Sequence, residues 1–564
     1  DGARAFRRCH DASRALTTRI QRGLSPDRDY DVLVVGGGIT GAAIAYVAAA
    51  RGLYVALVEK DDIGGATSAA TGKLIHGGLR YLKNFEIGQG RESRAERRIL
   101  SSIAPGLVEP FPIGLPEPGV LEHVGLSFYD LLSFDRNRVS DPSQRIPAHR
   151  RMKPAELRAH GLGHIKSAIL YYDCLMPSPE RLTLAFLRSA VAHGAELLTY
   201  ARVAELLVDE GCVIGARIED AVSGTTHDLS ARMLVNATGP WAHDLLDTTR
   251  VTSGLAGPPP QVRSEGIYLV TKQLSDVMVL YVSERGHFSF APWRGHSLIG
   301  PTETSYHGAV DDWRVSLDSV EDFLAHINET SRLPEPLGMD DVLMAYGGLR
   351  PLVESAGGDT YGASRASEFM DHARDGVGGI ITAIGGKYTT ARALAAKTVE
   401  HIAERLGVSL PPSRTAEAPL DACDVGILDE AIASAQHAWP DFSEATVEQL
   451  VRFYGTDYED VLALTREQAE LSEVLNADGE ILAQAVFAVR SEGAIRLSDV
   501  LLRRTGLGTL GDPRDGTFER VADVVASEAR WSDERCADEL AAARAAVHVP
   551  ASISPQFEED ASGE

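Results

Sequence analysis

A ten-residue segment, KLIHGGLRYL (73–82), places a lysine, a histidine, an arginine and a tyrosine around two adjacent glycines. No helix or strand periodicity accounts for this segment. Adjacent glycines let the backbone turn, or approach another group, where a Cβ would clash. A guanidinium such as that of Arg80 binds carboxylates and phosphates through paired, charge-assisted hydrogen bonds. The segment therefore predicts close approach to a ligand and the binding of an anion.

A glycine motif earlier in the chain indicates a second chemistry. Gly36, Gly38 and Gly41 form GxGxxG between a β-branched apolar run, DVLVV (31–35), and an alanine-rich stretch typical of a helix. Glu59 ends the next apolar run, 18 residues after Gly41. In a βαβ unit such glycines let the backbone reach a pyrophosphate at the helix N-terminus, and the acid accepts hydrogen bonds from ribose hydroxyls. The alternative is a glycine-rich turn that binds no nucleotide.

Two further segments decide between NAD and FAD. LVNATGPWA (234–242) reads as a strand that ends in Ala237, Thr238 and Gly239, and it resembles the second flavin contact of glutathione-reductase-like flavoproteins. ATSAATGK (66–73) supplies the small residues and hydroxyls that close approach to a flavin pyrophosphate and ring edge requires. Each segment alone also suits a plain loop. The three motifs in this order favour FAD over NAD.

The composition narrows the class of protein. A length of 564 residues exceeds one ordinary core, and an apolar content of 44% is enough to bury a large interior. A net charge of −25 argues against nucleic acid as a partner. Five scattered cysteines without a CxxC pair argue for a reducing compartment and against a disulfide framework or a zinc site. No metal is expected.

A βαβ unit and further strands would bring these motifs close together in the folded chain. The pattern predicts strands at 31–35 and 53–59 around a helix, and a second set of strands within 190–240. Alternating residues within 266–300 predict antiparallel strands. A strand, a GG turn and a helix are expected at 380–400.

The predicted fold class is therefore α/β plus α. A Rossmann-like FAD-binding domain is interleaved with an antiparallel β-sheet substrate domain, and a helical C-terminal domain follows a linker at Pro411 and Pro412. The predicted ranges are an N-terminal extension (1–28), an interleaved region (29–404) with FAD-binding segments (29–110, 180–250, 345–404) and substrate-binding segments (111–179, 251–344), a helical domain (405–548) and an acidic tail (549–564).

The N-terminal 24 residues carry six arginines and two aspartates in an otherwise acidic chain. Phe6, Cys9, Leu16 and Ile20 fall near helical spacing, which suits a helix on a membrane surface. A poorly ordered extension is the alternative that we favour. We find neither a signal-peptide core nor an apolar run of the roughly 18 to 20 residues that a bilayer span requires.

The chain resembles the FAD-dependent glycerol-3-phosphate dehydrogenases of the D-amino-acid-oxidase superfamily. The matching stretches are VVGGGITGAAIA, ATSAATGKLIHGGLRYL, VNATGPW, PWRGHSLIG, YGGLRPL, GGKYTTAR and the C-terminal LSDVLLRRTG. The resemblance spans about 30–548. It implies FAD as cofactor, oxidation of sn-glycerol 3-phosphate to dihydroxyacetone phosphate by hydride transfer to FAD, and electron delivery to a quinone at the membrane.

The resemblance also assigns residues. Arg80 and Tyr81 match the family's substrate-binding pair, Arg350 and Arg365 match arginines that bind the phosphate or hydroxyls, and Lys387 matches the lysine beside the flavin. Guanidinium groups suit a dianionic phosphate. The expected cofactor-binding set is Gly36, Gly38, Gly41, Glu59, Thr67, Ser68, Lys73, Leu74, His76, Val203, Ala237, Thr238, Gly239, Gly386, Lys387 and Thr389.

The sequence departs from the family at the proposed base. Many members carry a histidine where this chain has Tyr268, in EGIY (265–268). Because the ordinary pKa of a tyrosine is about 10, tyrosine is a poor base near pH 7. His287, on a nearby predicted strand, is the alternative, and His76 is a third candidate facing the flavin. The expected catalytic set is therefore Tyr268, His287, Lys387 and Arg350, and a related polyol phosphate stays open as substrate.

Three classes of function are compatible with these residues. The first is a glycerol-3-phosphate dehydrogenase with a quinone acceptor, held peripherally at the cytoplasmic face of the cell membrane. The second is an oxidase of the same superfamily that uses oxygen and acts on glycerol phosphate or an amine. The third is a non-catalytic flavoprotein subunit. The expected partners are a phosphorylated polyol, a quinone or electron-transfer protein and the membrane surface, with a homodimer left open and nucleic acid excluded.

Overall fold

Two β-sheets and several groups of helices make up the part of the chain that the computed structural model describes, residues 17–25, 28–78, 87–253, 262–352 and 368–549. In chain order the strands are β1 (Tyr30–Val35), β2 (Val55–Val58), β3 (Leu74–Ile75), β4 (Glu109–Pro116), β5 (Arg150–Arg151), β6 (Ala168–Leu175), β7 (Glu196–Leu198), β8 (Ala201–Asp209), β9 (Cys212–Asp220), β10 (Thr225–Asn236), β11 (Val262–Lys272), β12 (Met278–Ser283), β13 (Gly286–Trp293), β14 (His296–Gly300), β15 (Thr304–Tyr306), β16 (Val342–Leu352), β17 (Glu368–Asp371) and β18 (Ile380–Ile384). The α-helices are α1 (Ile39–Ala49), α2 (Ile87–Ile103), α3 (Val120–Leu132), α4 (Pro154–Ala159), α5 (Pro179–Ala192), α6 (Ala242–Ser253), α7 (Leu317–Ser331), α8 (Ala391–Leu406), α9 (Leu428–Ala438), α10 (Glu444–Tyr454), α11 (Tyr458–Leu464), α12 (Ala483–Ser491), α13 (Leu497–Asp499), α14 (Thr517–Ala529) and α15 (Asp533–Ala546).

The first sheet holds the glycine motif at its centre. Its strand order is β17-β18-β10-β1-β2-β7, and the strands from β18 to β7 run parallel. β8 and β9 pair antiparallel with the first half of β10 and form a meander. A parallel sheet is normally covered on both faces. Here α1, α5 and α8 pack on one face and the meander packs on the other.

The residues of β1 explain this layering. Val32 and Val34 belong to the core cluster that contains α1, whereas Leu33 and Val35 belong to the cluster with the meander. All four side chains are at most 6% exposed. Successive side chains of a strand point to opposite faces. An unbroken apolar run is therefore what a strand buried on both faces requires, and the expected βαβ unit is present.

The second sheet carries the predicted substrate domain and extends further than its predicted segments. Its order is β15-β11-β14-β13-β12-β4-β6-β3, with β16 paired to β11 and β5 paired to β6. β16 runs antiparallel to β11 from Val342 to Leu352. The predicted boundary at residue 345 therefore falls inside a strand of this sheet. The GGLRPL motif lies on that strand, not in the FAD-binding segment, because its backbone hydrogen bonds go to β11.

The C-terminal region is helical, as the predicted fold class requires, and buried charge pairs hold it to the first domain. Arg504 donates two hydrogen bonds to Asp62, at 2.6 and 2.8 Å. Arg181 donates to both carboxylate oxygens of Glu492, at 2.6 and 2.8 Å. These four side chains are at most 4% exposed. A buried charge is costly unless it is paired, so each domain supplies charges that the other must neutralise.

The N-terminal segment packs differently from the prediction. Residues 17–25 contain no helix. The backbone N–H of Ile20 donates to the carbonyl of Ser491, and that of Gly23 donates to Leu197. Ile20 is only 6% exposed, since its side chain joins the core cluster of the first domain. The prediction of a poorly ordered extension is therefore wrong for 17–25, while residues 1–16, with Phe6, Cys9 and Leu16, lie outside the described residues.

The described residues contain no helix that could cross a membrane. None of their helices combines the length and the apolar character that a bilayer span needs. Most of the predicted acidic tail, residues 550–564, lies outside the described residues.

Candidate active site

A cleft of about 1570 Å³ lies between the two sheets and receives residues from all three regions of the chain. The carboxyl ends of β1, β2 and β10 supply one wall, the second sheet supplies another, and Arg496, Ser498 and Arg503 of the C-terminal region add to it. Ligands of open α/β sheets bind at the carboxyl ends of the strands. The cleft is larger than the roughly 300–1000 Å³ of an ordinary ligand pocket, as an elongated dinucleotide with a substrate requires.

The glycine turn after β1 presents bare backbone to this cleft. Gly36 has a φ of +109°, and a Cβ there would lie 2.6 Å from the carbonyl oxygen of Ala237. Gly38 precedes α1 and offers no side-chain cap, so the N–H of Ile39 instead donates to Ser68 Oγ at 3.0 Å. The dipole of a helix favours an anion at its N-terminus. The turn therefore fits a pyrophosphate.

Glu59 stands at the end of β2, next to the glycine turn. One carboxylate oxygen accepts from the N–H of Gly37 at 2.5 Å and the other from the N–H of Asp61 at 2.9 Å. Burial raises the pKa of Glu59, and these two backbone hydrogen bonds oppose that rise. A carboxylate held in this way keeps lone pairs for further donors. The position suits ribose hydroxyls.

The 66–71 segment is fixed to the second sheet. Thr67 Oγ1 donates to the carbonyl of Leu349 at 2.6 Å, and the hydroxyl of Tyr346 donates to the carbonyl of Thr71 at 3.0 Å. A Cβ at Gly348 would lie 3.0 Å from the Cβ of Ala70. The glycines of GGLRPL therefore let the two motifs lie against each other, and both domains position the cleft wall.

The HGG segment contacts the GGKYTTAR motif and strand β6. The N–H of His76 donates to Thr389 Oγ1 at 3.1 Å, and the N–H of Gly77 donates to Asp173 Oδ1 at 3.0 Å. Asp173 also accepts from the Tyr129 hydroxyl at 2.6 Å and pairs with buried Arg97. The same carboxylate therefore fixes the segment that precedes Arg80.

Arg350 lies across the second sheet at the cleft wall. A Cβ at Gly266, on the neighbouring strand β11, would lie 1.9 Å from Arg350 Nη2, so the guanidinium occupies space that only a glycine leaves free. Among the described residues its hydrogen bonds go to the neutral carbonyl of Thr302, at 3.3 and 3.4 Å. Its positive charge is therefore not neutralised by a described carboxylate.

The proton-acceptor candidates also line the cleft. Tyr268 is 5% exposed and stacks on Tyr346, with ring centroids 5.3 Å apart. His287, on β13, and Lys387, after β18, are both half-buried. Lys387 Nζ lies 3.5 Å from Ser93 Oγ. The structure thus brings the expected base, its alternative and the lysine to one cleft.

The remaining expected residues fall into three groups. Most line the cleft: Leu74, Val203, Ala237, Thr238, Gly239 and Gly386, together with those described above. Gly41 and Lys73 do not line it. Arg80, Tyr81 and Arg365 lie outside the described residues.

Packing explains where Gly41 and Lys73 lie. A Cβ at Gly41 would be 1.9 Å from the carbonyl oxygen of Gly36, so Gly41 lets α1 approach the turn. Lys73 Nζ lies 3.9 Å from Glu180 and 4.4 Å from the centre of the Trp293 ring. Burial is the main cause that lowers the pKa of Lys73. Its geometry is that of a buried ion pair.

Several cleft residues were not predicted from the sequence. Lys60 and Trp241 directly follow predicted cofactor residues, so extending each motif by one or two positions would have found them. Asp311 lies in a segment without a recognisable pattern, and Arg503 lies in the LSDVLLRRTG motif, to which no contact with the cleft was assigned. Only the folded chain brings them to the cleft.

Comparisons with known proteins agree with this site. The family profile described as FAD dependent oxidoreductase matches residues 31–392. The profile described as the C-terminal domain of alpha-glycerophosphate oxidase matches residues 381–536. Together these matches cover the two sheets and most of the C-terminal helices.

Relatives are similar over nearly the whole chain. The glycerol-3-phosphate dehydrogenase of Synechocystis is 32% identical over 538 residues, which cover 90% of this chain and 94% of the relative. The aerobic glycerol-3-phosphate dehydrogenase of Escherichia coli is 31% identical over 494 residues, covering 85% and 94%. The solved glycerol-3-phosphate dehydrogenase of Bacillus halodurans, complexed with FAD, has a TM-score of 0.70 at 26% identity and covers 92% of this chain and 94% of its own. The bare glycine turn, the carboxylate of Glu59 and the size of the cleft fit FAD as well. From the matches over most of its length, the chain belongs to the family of FAD-dependent glycerol-3-phosphate dehydrogenases.

Proposed function

We propose that the protein oxidises sn-glycerol 3-phosphate to dihydroxyacetone phosphate and passes the electrons to a quinone. The observation that carries the choice of substrate is Arg350. Its guanidinium lines the cofactor cleft, and none of the described carboxylates is hydrogen-bonded to it. A cation in a cleft wall that, among the described residues, is hydrogen-bonded only to a neutral carbonyl favours an anionic ligand.

The chain's own residues have separable roles. Arg350 binds the phosphate, together with Arg80 and Arg365 in the segments outside the described residues. FAD, when bound, supplies the two-electron acceptor that takes a hydride from the substrate's C2. Tyr268 accepts the hydroxyl proton in its ionised, phenolate form, with neutral His287 as the alternative base. Lys387 places an ammonium group at the same wall, where it stabilises negative charge that develops during the reaction.

The electron acceptor separates the two leading functions. The relatives are named dehydrogenases, whereas the profile that matches the C-terminal region is named for an oxidase. Oxygen is therefore the second acceptor to test. An oxidase would release hydrogen peroxide, and a quinone-linked dehydrogenase would not.

One experiment tests substrate and acceptor in sequence. The purified holoprotein is mixed anaerobically with sn-glycerol 3-phosphate, and loss of the oxidised flavin absorption is followed. We expect rapid bleaching by glycerol 3-phosphate and none by unphosphorylated glycerol at equal concentration. Reoxidation is then started with a soluble quinone analogue or with oxygen. Equal bleaching by glycerol would contradict the phosphate anchor, and fast reoxidation by oxygen with stoichiometric peroxide would favour the oxidase.

A surface next to the cleft suits a lipid-soluble acceptor. Pro116–Gly119 line the cleft and lead directly into α3. Val124, Leu131 and Phe134 are 61%, 66% and 66% exposed, and we name these three side chains the apolar face of α3. Exposed apolar groups of this size commonly mark an interaction surface. We propose that this face rests on the inner face of the cell membrane, as a peripheral contact.

A further inference from the structure

Three side chains from separate segments meet at one rim of the cleft. Asp311 Oδ1 accepts a hydrogen bond from Lys60 Nζ at 3.0 Å and another from Trp241 Nε1 at 2.8 Å. Lys60 Nζ also lies 3.9 Å from the centre of the Trp241 ring. All three residues line the cleft. We name this group the Asp311 bridge.

The sheet topology places the Asp311 bridge across the glycine turn. β2 and β10 are the two neighbours of β1, and all three strands run parallel. Lys60 follows β2 and Trp241 follows β10, both at the carboxyl end where Gly36–Gly38 follow β1. The strands that flank β1 are about 10 Å apart. Lys60 and Trp241 therefore reach each other across the end of β1.

Asp311 adds the second domain to this contact. It lies between β15, which pairs with β11 of the second sheet, and α7. Its two donors belong to the first sheet. The bridge thus joins the two domains beside the turn, which we expect to hold the cofactor's pyrophosphate, and beside Glu59, which we expect to hold the ribose.

We infer that the Asp311 bridge is a latch that slows release of FAD. The inference rests on FAD lying in this cleft, as proposed above. A dinucleotide under a contact between two domains leaves only when that contact opens. The side chain of Asp311 is 73% exposed and that of Lys60 is 33% exposed, and exposed ion pairs of this kind are weak and salt-sensitive. Breaking this contact therefore costs much less free energy than unfolding the protein. FAD can leave while the fold stays intact, and the latch affects only the rate at which it leaves.

The chain offers a matched control for the test. Asp312 is the exposed neighbour of Asp311, and its carboxylate has no hydrogen bond to a side chain among the described residues. Asp311→Asn and Asp312→Asn change the same charge at adjacent positions. Trp241→Phe keeps an aromatic ring near Lys60 and removes only the N–H donor.

The measurement is the dissociation rate of FAD. The holoprotein is diluted into an excess of an apoenzyme that needs FAD for its own activity, and the activity which that enzyme regains reports the FAD released. We expect Asp311→Asn to release FAD up to about five-fold faster, because the amide keeps an acceptor oxygen but loses the charge that pairs with Lys60. Asp312→Asn should match the wild type. Trp241→Phe alone should also speed release. The double variant Asp311→Asn with Trp241→Phe should fall short of the product of the two single effects, because both changes weaken contacts of the same side chain.

Salt gives an independent readout. Raising the salt concentration should speed release from the wild type and leave Asp311→Asn nearly unchanged, since the ion pair with Lys60 is already lost. Unchanged release by Asp311→Asn, or equal acceleration by Asp311→Asn and Asp312→Asn, would overturn the latch while leaving the cofactor site intact. Purified wild type without any bound or reconstitutable FAD would instead contradict the proposed site itself.

Discussion

Among the arginines proposed to bind the phosphate, Arg350 is the one whose position the structure describes, so its substitution tests substrate binding most directly. Its guanidinium needs the space left by Gly266, so its position is set by the pairing of β11 and β16. We expect Arg350→Ala to cost about 2–4 kcal/mol of substrate binding, because a charge-assisted partner of the phosphate is lost. That corresponds to a KM for glycerol 3-phosphate raised roughly 30-fold or more.

Two controls accompany this prediction. Arg151→Ala removes an exposed arginine of the second sheet that does not line the cleft, and it should leave KM unchanged. Arg350→Lys keeps the charge but loses the planar fork, so its KM should fall between those of the wild type and Arg350→Ala. Steady-state kinetics with a soluble acceptor gives both values. An unchanged KM in Arg350→Ala would remove this residue from the substrate site.

The proton acceptor is tested by a pair of substitutions. Tyr268 is buried and stacked on Tyr346, whereas His287 is half-buried on a strand of the same sheet. We expect Tyr268→Phe to slow flavin reduction about 10²-fold and to alter its pH profile, with little change in substrate affinity. Stopped-flow absorbance measures the rate. A silent Tyr268→Phe with a severe His287→Gln would assign the base to His287, and two silent variants would point to His76 or solvent.

At the scale of elements, two glycines at the start of α1 are expected to have different roles, Gly41 in folding and Gly38 in binding the cofactor. A Cβ at Gly41 would meet the backbone oxygen of Gly36 at 1.9 Å, whereas a Cβ at Gly38 would meet only Ser68 Oγ, at 2.9 Å. Backbone cannot yield as a side-chain hydroxyl can. We expect Gly41→Ala to cost about 1–3 kcal/mol of folding free energy even without cofactor, as overpacking does.

The matched variant is Gly38→Ala. It should leave thermal unfolding of the apoprotein nearly unchanged and should weaken FAD binding, because the added methyl group lies at the helix N-terminus where the pyrophosphate is expected. Differential scanning fluorimetry of apoprotein and holoprotein separates the two effects. Equal loss of apoprotein stability in both variants would mean that Gly38 serves the fold alone.

How much the sequence predicts depends on whether a segment's partners are local. β1, the glycine turn, α1 and β2 follow from a continuous run of residues, and each appears where it was expected. The place of β16 depends on pairing with β11, some eighty residues earlier, and local pattern carries no such information. Asp311 reaches the cleft for the same reason. The site's motifs were therefore predictable, while the contacts between domains were not.

At the scale of the whole molecule, the pair Arg504–Asp62 holds the C-terminal helices to the first domain. Burial alone raises the pKa of Asp62, but Arg504 and Arg503 outweigh it and lower the pKa to about 2. We expect Arg504→Met to destabilise the protein by about 1.5–3 kcal/mol, because buried Asp62 loses one of its two guanidinium partners and keeps only Arg503. The exposed Arg535→Met is the control. Limited proteolysis between the domains should report the difference.

The same pair gives a pH dependence of known sign. The folded-state pKa of Asp62 is below the ordinary value of about 3.9. Its stabilisation is therefore complete above pH 4 and is lost as the pH falls from about 4 to about 2. Acid-induced exposure of the interface to protease should begin in this range in the wild type. A domain contact that persists below pH 2 would mean that other contacts dominate.

The apolar face of α3 tests attachment of the whole molecule to a membrane. α3 buries Leu126 and Tyr129 towards the protein, so Leu131 and the following Phe134 are left on its outer side. The guanidinium carbon of Arg138 lies 5.9 Å from the centre of the Phe134 ring, which places a cation at the same surface for anionic head groups. Burial of one large apolar side chain contributes about 1.5–3 kcal/mol.

The expected result is co-sedimentation with vesicles rich in anionic lipid and weaker binding to neutral vesicles. Replacing Leu131→Glu and Phe134→Glu together should reduce vesicle affinity about 100-fold, since at least about 3 kcal/mol of apolar contact is lost. Val474→Glu is the matched control, because Val474 is 51% exposed in the C-terminal region, far along the chain from α3. Flavin reduction by glycerol 3-phosphate in solution should be the same in all three proteins. If the double variant binds vesicles as the wild type does, the membrane contact lies elsewhere, and if no protein binds, the quinone must be reached through a protein partner.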